Sequence, residues 1–390
     1  MSSSKKYAGI SALALFAVVA GAGCSAEMGQ ATEGNPGQTS EAVCAPNQFF
    51  GSDTLKPLIA ATVAGNPVYA GTGSGNGEKA LHGLLTSSPT GNCLLSTSPG
   101  SSAASQLSAP MSRDLSPAAG GATGCTVASS GDDLKSFRIG VDGILAVTPS
   151  SNTGLADVSL TDLKEAFCTV APSGLTCAQR ASITVGTGGA GGTAVVDKFY
   201  RRDDASGTTD TLKTILGCAA LCNDTAHVVV DDNFPRTAPC AAGDTDTQCI
   251  AKLTEANTGA GVGNFVLSYA GRSALTVSPA PTGLKVAGVG PSDANIRNFS
   301  YPLARFLYIN YNDTMLNRST VTVPSVSNAT CKEKQFLCEN VLGPATSGCS
   351  GCAFTDRRLT FEGNLSTYDF LSCSTTVTPF GCSTSGLVCP

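Results

Sequence analysis

From residue 44 onward, apolar residues come in short runs separated by polar and glycine-rich stretches. Phe137–Val147, Ala194–Phe199, Ala226–Val230, Phe265–Tyr269 and Phe306–Ile309 are rich in β-branched and aromatic residues and short enough for strands. Segments of helical spacing lie between some of them. In Leu160–Cys168 the pair Leu163 and Phe167 falls one turn apart, and Thr161 is placed to cap the helix, with Lys164 leaving the capping box incomplete. Asp210–Leu216 sets Leu212, Ile215 and Leu216 on one face. Strand, turn and helix in succession predict an α/β fold. The glycine-rich stretches Ala119–Gly124 and Gly186–Gly192 predict loops. Residues 331–390 hold seven cysteines and few long apolar runs, which predicts disulfide-stapled loops and short elements packed on the main fold.

The N-terminus follows a different pattern. Lys5 and Lys6 precede an apolar stretch from Ala8 to Ala22, the arrangement of a secretory signal. The stretch is shorter than the roughly 20 apolar residues a helix needs to cross a bilayer. Gly21-Ala22-Gly23-Cys24 resembles the bacterial lipoprotein signal, in which small residues precede a cysteine that becomes the lipidated first residue. That resemblance implies cleavage after residue 23, a lipid anchor on Cys24 and an extracytoplasmic location. Ser25 offers no inner-membrane retention signal, so the outer membrane is the expected destination. Residues 24–43 are rich in small polar side chains and suit a flexible tether.

Loss of Lys5 and Lys6 with the leader takes the formal charge from −5 to −7, which argues against a general nucleic-acid surface. Seventeen cysteines in an exported chain argue for disulfides. With Cys24 lipidated, sixteen remain, enough for eight bridges whose pairing spacing cannot give. The rival is zinc at Cys218-x-x-x-Cys222 or Cys349-x-x-Cys352, but the chain has only His82 and His227 to add, and export favours bridging. No metal or other cofactor is expected. His82 and His227 sit in no nucleophile motif, so an enzyme is not expected either.

The candidate chemistry lies in four separated segments. Phe49-Phe-Gly-Ser-Asp-Thr-Leu-Lys-Pro-Leu58 and Val68-Tyr-Ala-Gly-Thr-Gly-Ser-Gly-Asn-Gly-Glu-Lys-Ala-Leu81 each read as strand, tight turn and helix start. Such a turn aims backbone N–H groups at an anion. A glycine-rich surface turn is the plain alternative for the second. The third segment is Met111-Ser-Arg-Asp-Leu115. The fourth, Tyr200-Arg-Arg-Asp-Asp-Ala-Ser-Gly-Thr-Thr-Asp-Thr-Leu-Lys213, combines arginine forks, carboxylates to orient them, and hydroxyls at a helix start. Read alone, it also fits a surface ion-pair cluster capping a helix.

The fourth segment resembles the Arg-x-Asp-Gly-Ser-Gly-Thr-Thr signature of the PstS-like phosphate-binding proteins that feed bacterial ABC importers. Gly51-Ser-Asp-Thr54, Gly71-Thr-Gly-Ser-Gly75, Val141-Asp-Gly-Ile-Leu-Ala-Val147, Leu160-Thr-x-x-x-x-x-Phe167 and Tyr301-Pro-Leu-Ala-Arg-Phe-Leu-Tyr308 match further family motifs in order. The resemblance implies a two-lobed type II periplasmic binding protein with a ligand cleft between the lobes. Residues 44–139 and 269–330 would form the first lobe, residues 140–268 the second, and residues 331–390 a cysteine-rich C-terminal extension on the first. The implied ligand contacts are Ser52, Asp53, Thr54, Ser74, Arg113, Arg202, Asp204, Ser206, Gly207 and Thr208. Arg113 stands where many members carry an Asp that accepts the proton of hydrogen phosphate, with Asp204 or Asp114 as substitutes. Ala205 stands where the signature has Gly, a strained exchange if that position needs positive φ.

The function implied is reversible binding of inorganic phosphate or a related oxyanion, with an ABC permease as partner and the membrane held through the N-terminal lipid. The alternative is a disulfide-rich structural or adhesive surface lipoprotein on the same fold.

Overall fold

The computed structural model describes residues 48–63, 68–85, 106–115, 118–119, 122–123, 126–127, 132–231, 233–257, 264–318, 329–346, 348–349, 355 and 357–371. The expected leader 1–23, the lipidation site Cys24 and the tether 24–43 lie outside them, as does much of the cysteine-rich extension.

The principal strands are β1 (Gln48–Gly51), β2 (Val68–Gly71), β3 (Ser108–Met111), β4 (Asp132–Thr148), β5 (Ala194–Arg202), β6 (His227–Val230), β7 (Asn264–Gly271) and β8 (Ala304–Asn312). The principal helices are α1 (Lys56–Thr62), α2 (Ser74–Leu81), α3 (Leu160–Phe167), α4 (Gly207–Leu216), α5 (Asp246–Ala256), α6 (Ala329–Asn340) and α7 (Arg358–Thr367). The architecture is α/β with mixed sheets, as the alternation of apolar runs predicted.

Strand β4 organises the fold. Its 17 residues pair with different strands along their length. Residues 134–143 pair antiparallel with β8, which also pairs with β3. Residues 144–147 pair antiparallel with β7. Beyond β7 lie β5 and β6, each parallel to its neighbour. Helix α4 connects β5 to β6, and α5 carries the chain from β6 to β7 on the far side of β5, because parallel strands need crossover connections. β1 and β2 form a separate parallel pair joined by α1, tied to β3 where Ser52 N–H donates to Pro110 O at 2.7 Å.

Separate apolar clusters build the core. Ile144–Val147, Phe167, Phe199, Leu212 and Tyr269 pack together in the region of β4, β5 and β7. Phe49, Leu55, Leu58, Leu307, Ile309, Phe336 and Phe361 form another around β1 and β8. Full burial of each such side chain stabilises by about 1.5–3 kcal/mol. The second cluster takes Phe336 from α6 and Phe361 from α7, so the extension contributes two helices to the core, more than loops and short elements.

Two local expectations are corrected. Helix α3 is capped by Ser159, whose Oγ accepts from Asp162 N while Asp162 returns a bond to Ser159 N. The capping box is therefore complete, two residues upstream of the Thr161 reading, because a carboxylate at the third helical position can reach back and Lys164 cannot. In the stretch read as a loop at 119–124, Ala118–Ala119 and Ala122–Thr123 pair as a tight antiparallel hairpin.

Four disulfides occur among the described residues: Cys168–Cys218, Cys177–Cys222, Cys240–Cys249 and Cys338–Cys349. They consume Cys218, Cys222 and Cys349, three of the four sulfurs of the zinc alternative; the fourth, Cys352, lies outside the described residues. Among the described residues no group of three or more His, Cys, Asp and Glu side chains is placed to hold a metal ion. No helix among them is long and apolar enough to cross a membrane.

Candidate functional site

The hydroxyl-rich turns lie at helix starts. Ser52 has extended backbone, and its Oγ accepts from Thr54 N at 3.2 Å, opening a short 3-10 turn that runs into α1. Ser206 repeats that geometry before α4, accepting from Thr208 N at 3.2 Å. Ser74 is the first residue of α2, after Gly73 at φ 99°. A side chain at Gly73 would meet Ala205 O at 2.3 Å, so both φ and close approach require glycine there. Ala205 is not among the described non-glycine residues at positive φ, and the strain its methyl would carry in that conformation does not arise.

These starts meet. Thr54 Oγ1 lies 3.3 Å from Thr208 Oγ1, Ser74 Oγ lies 3.3 Å from Ser112 Oγ, and Gly75 N–H donates to Ala205 O at 3.3 Å. Gly207 packs so closely against α2 that an added Cβ would stand 2.2 Å from Ser74 Oγ and 2.5 Å from Ser112 Oγ. Ser52, Ser74, Ser112, Ser206 and Thr208 are all fully buried. Two helix N-termini, α2 and α4, thus bring their first-turn N–H groups and positive partial charge into one buried place.

Two buried arginines adjoin it. Arg202, from the end of β5, ion-pairs with Asp53, and its Nη2 donates to Asp246 Oδ2 at 2.7 Å. Arg202 Nε and Asp53 Oδ1 have no hydrogen-bond partner. Arg305, from β8, donates from Nη2 to Asp142 Oδ2 at 2.6 Å and from Nη1 to Thr208 Oγ1 at 2.9 Å. Burial lowers the pKa of Arg305 from its usual value, against the opposing pull of Asp142. Burial also raises the Asp203 carboxyl, with Arg202 pulling the other way. A cavity of about 220 Å³ borders Asp53, Thr54 and Arg202, and Tyr368 of the extension contributes to its wall.

Among the ten residues expected as ligand contacts, Ser52, Asp53, Thr54, Ser74, Arg202, Ser206, Gly207 and Thr208 come together. Asp204 and Arg113 stand apart. Asp204 is largely exposed and pairs with Arg201 at 2.9 Å. Arg113 has all three kinds of guanidinium nitrogen engaged by the protein: Nε with Asp210 at 2.8 Å, Nη2 with Glu78 at 2.6 Å and Nη1 with Asp114 O at 2.9 Å. Asp114, offered as a substitute proton acceptor, is exposed and accepts from Ser136 Oγ. Arg305, Asp142 and Asp246 were missed as site residues. The first two lie inside motifs already singled out, Tyr301–Tyr308 and Val141–Val147, but nothing in those motifs separated buried ionic positions from strand pattern. The histidines are packing groups: His227 stacks on Phe199 at 4.4 Å and binds Asp224 and Ala166 O, while burial lowers the His82 pKa.

No protein-family model matches the chain, and no curated protein does. Solved structures similar to it include a phosphate-binding protein from Stenotrophomonas maltophilia, at 17% identity over 84% of this chain and 91% of that one, with a TM-score of 0.46. An ABC-type phosphate transport receptor from Vibrio cholerae shares 13% identity over 84% and 99%, with a TM-score of 0.45. A human phosphate binding apolipoprotein shares 15% over 85% and 92%, with a TM-score of 0.46. Likenesses at this level leave the chemistry of the site to be read from the chain's own residues.

Proposed function

We propose that this protein reversibly binds inorganic phosphate, and that it does so as the extracytoplasmic receptor of an ABC importer, anchored through Cys24. The observation that carries the reading is the convergence of the α2 and α4 N-termini and the Ser52–Thr54 turn beside Arg202 and Arg305. A tetrahedral oxyanion offers four oxygens in four directions, and it is held well only by donors arriving from several elements at once. The donors here come from two sides: β1, α2 and the end of β3 on one, β5 and α4 on the other. On this reading the sheets that share β4 belong to two lobes, and the anion stabilises the closed arrangement by contacting both. Its oxygens replace the hydroxyl contacts Thr54–Thr208 and Ser74–Ser112.

Asp53 sets the discrimination. Its unpartnered Oδ1 can accept a proton from hydrogen phosphate, whereas sulfate, with no proton to give, meets a buried carboxylate unfavourably. Nothing in this arrangement requires a reaction; the site only binds and releases.

Isothermal titration of the oxidised chain lacking residues 1–23 tests the proposal. The expected result is one phosphate per chain, sulfate bound at least about tenfold more weakly, and loss of binding in a folded Arg202→Ala variant. No heat with phosphate at several temperatures, or undiminished binding by Arg202→Ala, would overturn it.

A further inference from the structure

The candidate site holds more carboxylates than cations. Two of its ion pairs are balanced, Arg201 with Asp204 and Arg305 with Asp142. Among the described residues, the other arginines of the cluster, Arg202 and Arg236, are shared by three carboxylates, Asp53, Asp203 and Asp246. All three converge on one nitrogen, Arg202 Nη2, and the Asp203 and Asp246 oxygens lie within about 6 Å of each other. This part of the site therefore carries one negative charge in excess before a ligand enters. Monohydrogen phosphate brings two more, and the α2 and α4 N-termini offset only about one in all. Uncompensated charge in a buried place is costly enough that an ionisable group neutralises instead.

The contacts single out Asp203 as that group. Asp246 has two arginines, Arg202 at 2.7 Å and Arg236, and it stands in the first turn of α5, where negative charge is favoured. Asp53 pairs closely with Arg202 and is the acceptor for the ligand's own proton, so it stays ionised. Asp203 has the longest contact of the three, 3.5 Å to Arg202, and no second arginine. Its Oδ1 accepts from Ala205 N at 2.7 Å. Its side chain is also the most exposed, at 22% against 10% for Asp53 and 3% for Asp246, so a proton from solvent can reach it. Burial already raises its carboxyl against the pull of Arg202 and the Ala205 N–H, and Asp246 adds to the rise. Tyr269, which also faces Asp203, is pushed up to about 12 by burial and stays neutral.

We propose that Asp203 takes up a proton from solvent as the anion enters, so that phosphate and one proton bind together. This inference rests on the phosphate-binding reading and adds the proton to it. The ligand's own proton is donated to Asp53; the second comes from water and ends on the Asp203 carboxylate. Neutral Asp203 gives up its share of Arg202 to the anion. The bound state then holds the Asp203 proton more tightly than the free state. Affinity therefore rises as pH falls through the interval between the two Asp203 titrations, by up to about tenfold per pH unit.

Titration calorimetry with inorganic phosphate at pH 7, in two buffers of different ionisation enthalpy, counts the protons exchanged on binding. The wild type should take up about one proton more per phosphate than Asp203→Asn, whose amide mimics the neutral acid. Protons exchanged by the ligand are common to both proteins and cancel in the difference. Asp203→Asn should also bind phosphate about tenfold more tightly than the wild type at pH 8, with the gap closing toward pH 6. An infrared difference spectrum of the wild type supplies an arm that does not depend on the variant's folding: phosphate should bring up a carboxylic acid C=O band. Equal proton counts in the two proteins, or no such band in wild type that binds phosphate, would overturn the proton inference alone. Absence of phosphate binding by the wild type would overturn the parent reading with it.

Discussion

Gly207→Ala adds one methyl group at the contact on which the candidate site depends. The new Cβ would stand 2.2 Å from Ser74 Oγ and 2.8 Å from Ser74 Cβ. Ordinary contact between such atoms is about 3.5 Å, so the α2 and α4 starts must separate by roughly 1 Å. Rotation of the Ser74 hydroxyl relieves the first contact but not the second. Helix α4 itself loses nothing, because Gly207 is not at positive φ and alanine is the better helix former by about 1 kcal/mol. The damage falls on ligand geometry. Donors placed at about 2.9 Å from an anion oxygen would stand near 3.9 Å, beyond hydrogen-bond range. Each bond to a charged group contributes about 1.5–3 kcal/mol, so losing one weakens binding by about tenfold to a hundredfold. Titration calorimetry with phosphate, paired with thermal unfolding, measures both sides. Weakened binding with a melting temperature near wild type is expected; wild-type phosphate affinity in Gly207→Ala would refute the idea that these two helix starts jointly hold the anion.

Three further outcomes follow from named groups. Burial pushes the Glu333 carboxyl up to about 7 from an ordinary 4.5, although Oε1 accepts from Ser108 N and Oγ. The folded state therefore holds that proton more tightly than the unfolded chain, and stability falls as pH rises from about 4.5 to 7, by on the order of 3 kcal/mol. Denaturant titrations at pH 5 and 8 should show this difference in the wild type and a smaller one in Glu333→Gln; equal slopes in both would contradict it. The Cys177–Cys222 bridge spans 45 residues, for which chain entropy gives about 4 kcal/mol, so the double serine variant should lose about 2–4 kcal/mol in the same assay. Mass spectrometry of the mature N-terminus should find a lipidated peptide beginning at Cys24, and Cys24→Ser should release the protein from membranes; an unmodified terminus elsewhere counts against the anchor.

What could be read in the chain alone followed the range of each interaction. Short apolar runs such as Ala194–Phe199 and Phe265–Tyr269 became parts of β5 and β7, because strand formation there depends on side chains within the run. Ser206 and Ser52 were recognisable as helix-start hydroxyls for the same reason. The resemblance alone put a lobe boundary inside β4, at 139/140; no residue pattern between Asp132 and Thr148 marks where its partner changes from β8 to β7. The partners of Arg202 were also hidden: Asp53 lies far upstream, and Asp246 belongs to a capping turn that reads as ordinary helix punctuation. Glu333 illustrates the limit from the other direction. Its segment reads as part of a disulfide-stapled extension of loops and short elements, yet packing of α6 buries the carboxyl against Ser108, 225 residues away.

The most direct test of the central claim is a phosphorus-31 NMR titration of the oxidised chain with inorganic phosphate. The phosphate-binding account predicts a bound resonance distinct from the free one that saturates at one phosphate per chain, and that disappears in Arg202→Ala. A spectrum showing only free phosphate at every ratio would contradict it.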